Sequence, residues 1–321
     1  MNKQYGELLK NALQDFVIFI LMSAQAIIRR YKKIIDILET GQFPSMDSIQ
    51  EFIENTGLKA SRRTIERDFE AIRNEFGVEI EYNQHKKGYF INKDEGLSMD
   101  SFLRLLELVE TAHVFQESLK ESKETLEYID FEHQGITSGI DYLQPILKAI
   151  RNHLCIRFKH ESYQTGKFKR YQVKPYLLKE YLGRWYVIGE VSGMNAIRTF
   201  GIDRVSEFEL LTKTFEPKDS YEIKERFRDV IGLTYEGSEK QEVILSFKPE
   251  QVPYIKSLPL HHSQTFIEEN ENEALVRYFL KPNYEFTQRI FMHIEKVKVV
   301  EPEWLVEHVK ERVEEIRGMY S

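Results

Sequence analysis

Residues 61 to 75 read Ser-Arg-Arg-Thr-Ile-Glu-Arg-Asp-Phe-Glu-Ala-Ile-Arg-Asn-Glu, and their spacing puts two kinds of chemistry on opposite sides of one helix. Ile65, Phe69, Ile72 and Phe76 recur four, three and four residues apart, the rhythm of a buried stripe. Arg63 and Arg67 lie one turn apart on the other surface. A guanidinium can donate two hydrogen bonds to O6 and N7 of guanine, so Arg62, Arg63 and Arg67 are candidates to read base edges, with Thr64 touching a base or the backbone. Ser61 can cap the helix, leaving its remaining free N–H groups and positive dipole end to face a phosphate. Lys59, Arg73, Lys86 and Lys87 are candidate phosphate contacts, which position a protein on a duplex and make affinity fall with salt without specifying sequence. A plainer reading stays open, in which Glu66, Asp68, Glu70 and Glu75 pair with these arginines on an ordinary solvated helix.

The flanking elements are those needed to present such a helix. Met46 to Asn55 is amphipathic, with Ile49, Phe52 and Ile53 inward, and Gly57 supplies a sharp break before the arginine-bearing helix, which is helix-turn-helix spacing. Gly77 then stops the helix, Val78 to Tyr82 alternates like a strand, and Gly88-Tyr89-Phe90-Ile91 returns across a tip carrying Lys86 and Lys87, which reads as a wing. Residues 23 to 92 are therefore assigned to a winged helix-turn-helix, preceded by an N-terminal extension over 1 to 22. The extension holds the apolar run Phe16 to Met22, seven residues where a bilayer crossing takes about 20, and it lacks a secretory cleavage pattern. Translation from Met1 and translation from Met22 are both left open.

Charge distribution qualifies the net value of -7 over 321 residues: residues 1 to 92 hold 13 Lys and Arg against 13 Asp and Glu, so the acidity lies downstream. An acidic bulk with a locally basic edge suits a regulator that must leave non-specific DNA. The length implies two or three domains, and 41% apolar residues are ample for packed cores. The single cysteine, Cys155, excludes an intramolecular disulfide framework and a cysteine-based zinc cage, and is read as buried filler.

Residues 93 to 153 read as a helical linker: Leu97 to Lys120 with Phe102, Leu105, Leu106, Val109 and Ala112 at helical spacing, then Thr125 to Phe131 and Tyr142 to His153. Dimer contacts and plain packing both explain such stripes. From residue 154 the rhythm changes to short strands, through 156 to 160, 169 to 173, 175 to 179, 183 to 189, 196 to 202 and 207 to 211, implying a small barrel over 154 to 215. Alternation places Trp185 and Tyr186 on opposite faces, with Trp185 in the core.

Three runs in this region carry a family likeness: Val173-Lys174-Pro175-Tyr176-Leu177-Leu178-Lys179, Gly183-Arg184-Trp185-Tyr186-Val187-Ile188-Gly189 and Arg198-Thr199-Phe200-Gly201-Ile202-Asp203-Arg204-Val205. With the winged head in front and the α/β region behind, the chain resembles the WYL-domain transcriptional regulators of bacteria, in their version with a C-terminal WCX-type extension. Val187 stands where the family name expects leucine, an apolar exchange that leaves a strand intact. The resemblance implies an Sm-like five-stranded barrel whose basic groove senses a ligand, a nucleic-acid fragment or nucleotide-like molecule in several members. Arg170, Lys174, Tyr186, Arg198 and Arg204 offer the cations and aromatic hydroxyl that an anionic ligand needs, with His160 and Tyr163 as rim residues. The family pattern often places arginine four residues before the proline, where this chain has Tyr171, so Arg170 takes that role only by adjacency. Asp203 and Arg204 simply pairing on a solvated face is the competing account.

Residues 216 to 240 form a connector, and 241 to 321 run strand, helix, strand, strand, helix, strand and terminal helix. That order is ferredoxin-like and matches the WCX-type extension. His261 and His262 lie near a strand start, where adjacent side chains on a strand point apart, and no third metal ligand stands at useful spacing. No Gly-rich phosphate loop, nucleophile elbow or His-Glu-x-x-His is present, and no cofactor is implied. The expectation is an α+β multidomain, non-enzymatic, cytoplasmic regulator, with repression favoured over activation. Its partners would be double-stranded operator DNA, a nucleic-acid or nucleotide-like effector and a second copy in a homodimer, with no membrane. A nuclease, or an accessory factor of a defence or repair system, is the alternative.

Overall fold

The computed structural model describes residues 26–92, 102–109, 111, 138–194, 196–216, 220–235, 237 and 239–321. The chain divides into two compact units, Met1–Glu132 and His133–Ser321. The apolar run before Met22, the alternative starts and the helical pattern of Thr125 to Phe131 lie outside the described residues.

In the first unit a helix over residues 26–39 (α1) precedes α2 (Met46–Asn55) and α3 (Arg62–Phe76), followed by an antiparallel hairpin of β1 (Ile80–Asn83) and β2 (Gly88–Ile91). Ile34, Ile35, Ile49, Ile53, Ile65 and Ile72 are completely buried together, and Phe69 joins them. Each such side chain contributes roughly 1.5–3 kcal/mol by leaving water, so this stripe orients α3. Gly77 closes α3 in the left-handed region at φ 66, its N–H donating to the Arg73 carbonyl. The hairpin docks on the loop between α1 and α2. Tyr89 donates its N–H to the Pro44 carbonyl at 2.9 Å, and a Cβ on Gly88 would collide with the Phe43 carbonyl.

A polar bond reinforces the apolar stripe. Asp68, which the plainer reading paired with the helix arginines in solution, is only 2% exposed and accepts two hydrogen bonds from Arg30 of α1, at 2.5 and 2.9 Å. Its position explains this: Asp68 is three residues after Ile65 and four before Ile72, so the inward stripe includes it. The first helix described after the wing also contributes to this core. A helix over residues 102–109 (α4) buries Phe102 and Leu106, with the Phe102 ring 4.5 Å from that of Phe76. Leu105, expected inward, is exposed; four-residue spacing selects Phe102 and Leu106 instead. Ala112 is outside the described residues.

The second unit opens with a 3-10 turn at Ile140–Tyr142 and α5 (Leu143–Arg151), whose Ile146 and Ala149 pack on the sheet that follows. Helical pattern had placed this segment in the linker, and its apolar face shows that it belongs to the sheet's core. Strands β3 (Leu154–Glu161), β4 (Phe168–Tyr181), β5 (Arg184–Val191), β6 (Ala196–Gly201) and β7 (Val205–Thr214) form one antiparallel sheet in the order β6-β5-β4-β3-β7. A 3-10 turn at Ile202–Arg204 joins β6 to β7. A lead helix, this order and that turn are the Sm-like topology expected. Val187 is buried in this core and Trp185 packs against it, whereas Ile188 points into a second cluster formed with Tyr176, Ile223 and Phe227. Cys155 is buried and free.

After α6 (Ser220–Arg228), strands β8 (Gln241–Phe247), β9 (Thr265–Glu269), β10 (Ala274–Leu280) and β11 (Val297–Glu301) pair antiparallel in the order β11-β8-β10-β9. Helices α7 (Val252–Ser257), α8 (Tyr284–Met292) and α9 (Glu303–Met319) complete the ferredoxin-like arrangement. Asn283 caps α8 by accepting from the Phe286 N–H, and its amide donates to the Ile231 and Thr234 carbonyls, each at 2.7 Å. His261 and His262 are not on a strand and do not point apart. Their rings lie 4.1 Å apart and both bond the Arg228 carbonyl, at 2.8 and 3.0 Å. The turn before β9 lacks strand alternation, so both side chains turn toward the end of α6.

Removing one partner of the buried Arg30–Asp68 pair strands the other charge, which costs about 3–5 kcal/mol. Asp68→Ala should therefore lower head stability by that amount, and a double change to Arg30→Met with Asp68→Leu should recover most of it. Urea denaturation with amide exchange of α1 and α3 reads both.

Candidate nucleic-acid interface and effector corner

The nucleic-acid candidates sit in the first unit. Ser61 caps α3, accepting from the Thr64 N–H at 3.3 Å, and its hydroxyl lies 2.9 Å from that of Thr64. Arg63 and Arg67 are exposed and make no ion pair or hydrogen bond among the described residues. Together with Ser61, Thr64, Glu66 and Glu70 they line a shallow depression on the outside of α3. Arg62 pairs along the helix with Glu66 at 3.2 Å, an exposed bond of little strength. Lys59 and Lys87 are exposed, and Lys86 lies over the Phe43 ring, 3.9 Å from its centroid. Arg73 is engaged differently: it donates to the Ile80 carbonyl at 2.7 Å and pairs with Glu79 at 3.2 Å, so it ties α3 to the first strand of the wing.

The expected effector residues separate into four places in the second unit. Arg170 pairs with Glu207, which Lys159 also holds at 3.2 Å; these cations keep the Glu207 carboxyl below its ordinary range. Lys174 bonds the buried Glu190 at 2.6 Å. Arg198 is exposed on β6, on the same face as Phe200. The remaining four come together at the turn after β6, where the Asp203 carboxylate lies between two guanidiniums.

Arg204 places its Nε 3.8 Å from Asp203, and Arg184 on β5 reaches the same carboxylate at 3.6 Å. The Tyr163 hydroxyl donates to it at 3.4 Å, while the Arg204 guanidinium lies 4.6 Å over the Tyr163 ring. A Cβ on Gly201 would stand 2.6 Å from Asp203 and 2.8 Å from Arg204, so the missing side chain makes room for the cluster. Tyr186 is paired across the sheet with Gly201, and burial raises its hydroxyl above the ordinary value. Burial, followed by the Arg204 charge, lowers the His160 imidazole to about 4. Its Nε2 is buried and has no hydrogen-bond partner among the described residues, beside Phe200 and Tyr171 at 5.3 and 6.4 Å. Arg184 stood in the Gly183 to Gly189 run without being singled out; the signal is alternation, which puts residues 184 and 186 on one face of β5.

Two family models cover the second unit: residues 141–210 match the WYL domain, and residues 239–317 match the WCX domain. The chain carries a WYL domain followed by a WCX domain. The first of these begins before α5, in keeping with that helix packing on the sheet. Among solved structures, proteasome accessory factor B/C (PafBC) of Arthrobacter aurescens is similar over 90% of this chain and 46% of its own, at 18% identity and a TM-score of 0.32. The chain thus spans just under half the length of that structure. A CRISPR Cas-related protein is similar over 56% of this chain and 52% of its own, at 14% identity and a TM-score of 0.24. No curated protein matches the chain.

Among the described residues, no group of three His, Cys, Asp or Glu side chains is placed to hold a metal ion, and no helix is long and apolar enough to cross a membrane. The acid response follows from the imidazoles. His160 and His261 both titrate near 4 in the fold, burial being the larger cause in each, against about 6.5 when unfolded. Their contribution to stability is complete above pH 6.5 and is lost as pH falls toward 4, because the unfolded chain then binds more protons. Urea midpoints of the second unit should fall across this window, and the fall should be smaller in His160→Phe; an equal fall would remove His160 from the account.

Proposed function

We propose that this WYL–WCX chain is a sequence-specific transcription regulator whose winged helix-turn-helix binds operator DNA, with affinity controlled by a nucleic-acid or nucleotide-like anion at the WYL sheet. The observation that carries the reading is the pair Arg63 and Arg67, exposed one turn apart and unpaired among the described residues, on a capped helix whose opposite face is anchored by a buried ion pair. Arg62 and Thr64 extend the reading edge. Ser61, Lys59, Lys86 and Lys87 supply phosphate contacts, and Arg73 positions the wing. The effector is held by Arg204 and Tyr186, with His160 and Tyr163 at the rim; Arg198 adds an exposed positive charge beyond the corner, while Arg170 and Lys174 are taken up by Glu207 and Glu190. The protein acts in the cytoplasm without catalysis, as a repressor and as a homodimer on a two-fold related operator. Paired heads read half-sites about 34 Å apart or a multiple of that spacing.

A ligand changes operator affinity only through a difference in its affinity for two arrangements of the protein. Binding at the corner must therefore favour one arrangement of the dimer over another.

The test selects genomic fragments with purified protein and compares it with the double variant Arg63→Ala, Arg67→Ala. The wild type should enrich a symmetric motif, and the variant should lose roughly 1–3 kcal/mol of discrimination per bidentate base contact while keeping its salt-dependent non-specific binding. Unchanged discrimination would remove these arginines from the reading role.

A further inference from the structure

Asp203 has an unusual position for a surface-turn carboxylate. Its side chain is only 15% exposed, yet the three polar groups that contact it among the described residues all stand at long range: Arg184 at 3.6 Å, Arg204 at 3.8 Å and the Tyr163 hydroxyl at 3.4 Å. A well-made bond between a guanidinium and a carboxylate is about 2.7–2.9 Å and often two-pronged. Here one carboxylate is stretched between two guanidiniums and satisfies neither. The backbone around it is held firmly, because Ser138 donates to the Asp203 carbonyl at 2.9 Å and a Cβ on Gly139 would meet the Ile202 carbonyl at 2.5 Å. The loose contacts are thus a property of the side chain and not of a loose turn. Beside them, the His160 Nε2 is buried and has no hydrogen-bond partner among the described residues.

We propose that Asp203 is a built-in surrogate for a terminal phosphate monoester of the effector, occupying the Arg184–Arg204 pair until that group displaces it. This rests on the reading of the corner as the effector site, and adds to it the ligand group recognised and the competitor it must expel. A phosphate offers three acceptor oxygens on a tetrahedron, where a carboxylate offers two in one plane. It can therefore contact both guanidiniums at full strength, which Asp203 does not. Displacement turns Asp203 out toward solvent, which its position at a turn allows. The cost is a lower apparent affinity, since the observed dissociation constant is the intrinsic one divided by the fraction of molecules with the pair open. In return, weakly held anions such as free chloride or acetate are excluded, because they gain too little to displace a tethered carboxylate.

The test measures binding of a short 5′-phosphorylated single-stranded DNA, and of the same strand without the phosphate, to the full chain by calorimetry. Asp203→Asn keeps the shape and an acceptor for Tyr163 but removes the competing charge. If the pair is open in about a tenth of the molecules, this variant binds the phosphorylated strand about tenfold more tightly than the wild type, with little change for the unphosphorylated strand. Tyr163→Phe, at an exposed position, removes one bond that holds Asp203 and should shift affinity in the same direction by less. Arg184→Gln should weaken binding of the phosphorylated strand. Circular dichroism melts confirm that each variant is folded. Should Arg184→Gln weaken binding while Asp203→Asn and Tyr163→Phe leave it unchanged or weaker, the surrogate role is overturned and the effector site stands. Should no form of the protein bind either strand, both fall together.

Discussion

A guanidinium can act on a partner outside the protein only if the fold has not already occupied it, and the chain divides its arginines by this constraint. Arg30 is fully committed: it is buried against Asp68 with two short bonds and fastens α1 to α3. Arg73 is committed to the wing. Asp68 lies on the inward stripe and is spent on Arg30, while on the outer surface Arg63 and Arg67 share a depression with Glu66 and Glu70 yet make no ion pair among the described residues. The buried bond thus holds the helix so that its outer face is presented. At the corner after β6 the constraint takes an intermediate form, with Arg184 and Arg204 occupied by one overstretched carboxylate.

Much of the fold was legible from local rules. The three-four stripe of Ile65, Phe69, Ile72 and Phe76, the stop at Gly77 and the alternation of the wing describe α3 and its hairpin to within a residue or two. The strand and helix order of the C-terminal region foretold the β11-β8-β10-β9 sheet, because that order has few ways to close around one core. What periodicity did not convey was the destination of polar side chains. Asp68 lies on the inward stripe, but the sequence offered it only as a solvated partner for the helix arginines, since a buried carboxylate depends on a partner 38 residues away. Arg170 and Lys174 matched the chemistry of anion binding yet meet Glu207 and Glu190 across the sheet. Long-range pairing of this kind is set by register, and register shifts at Pro175/Leu177 and along β3 where it meets β7 are not written in any single strand.

The two histidines before β9 make the same point at short range. Adjacent side chains diverge on a strand, but His261 and His262 stand in a turn and converge on the Arg228 carbonyl. Ser263 donates its N–H to His261 Nδ1 at 3.2 Å, which leaves Nε2 as the protonated nitrogen facing that carbonyl and is consistent with a neutral ring. A feature that attracts attention as a metal pair is thereby absorbed into the joint between α6 and the WCX domain.

The central claim is that the exposed arginine face of α3 reads DNA sequence, and hydroxyl-radical footprinting of the wild-type chain on its selected genomic fragments, at low ionic strength, addresses it most directly. The account predicts protected segments at fixed positions, repeated at about 34 Å or a multiple of it, which persist when an excess of unrelated duplex is added. Uniform protection that drifts along every fragment and vanishes with competitor would contradict it.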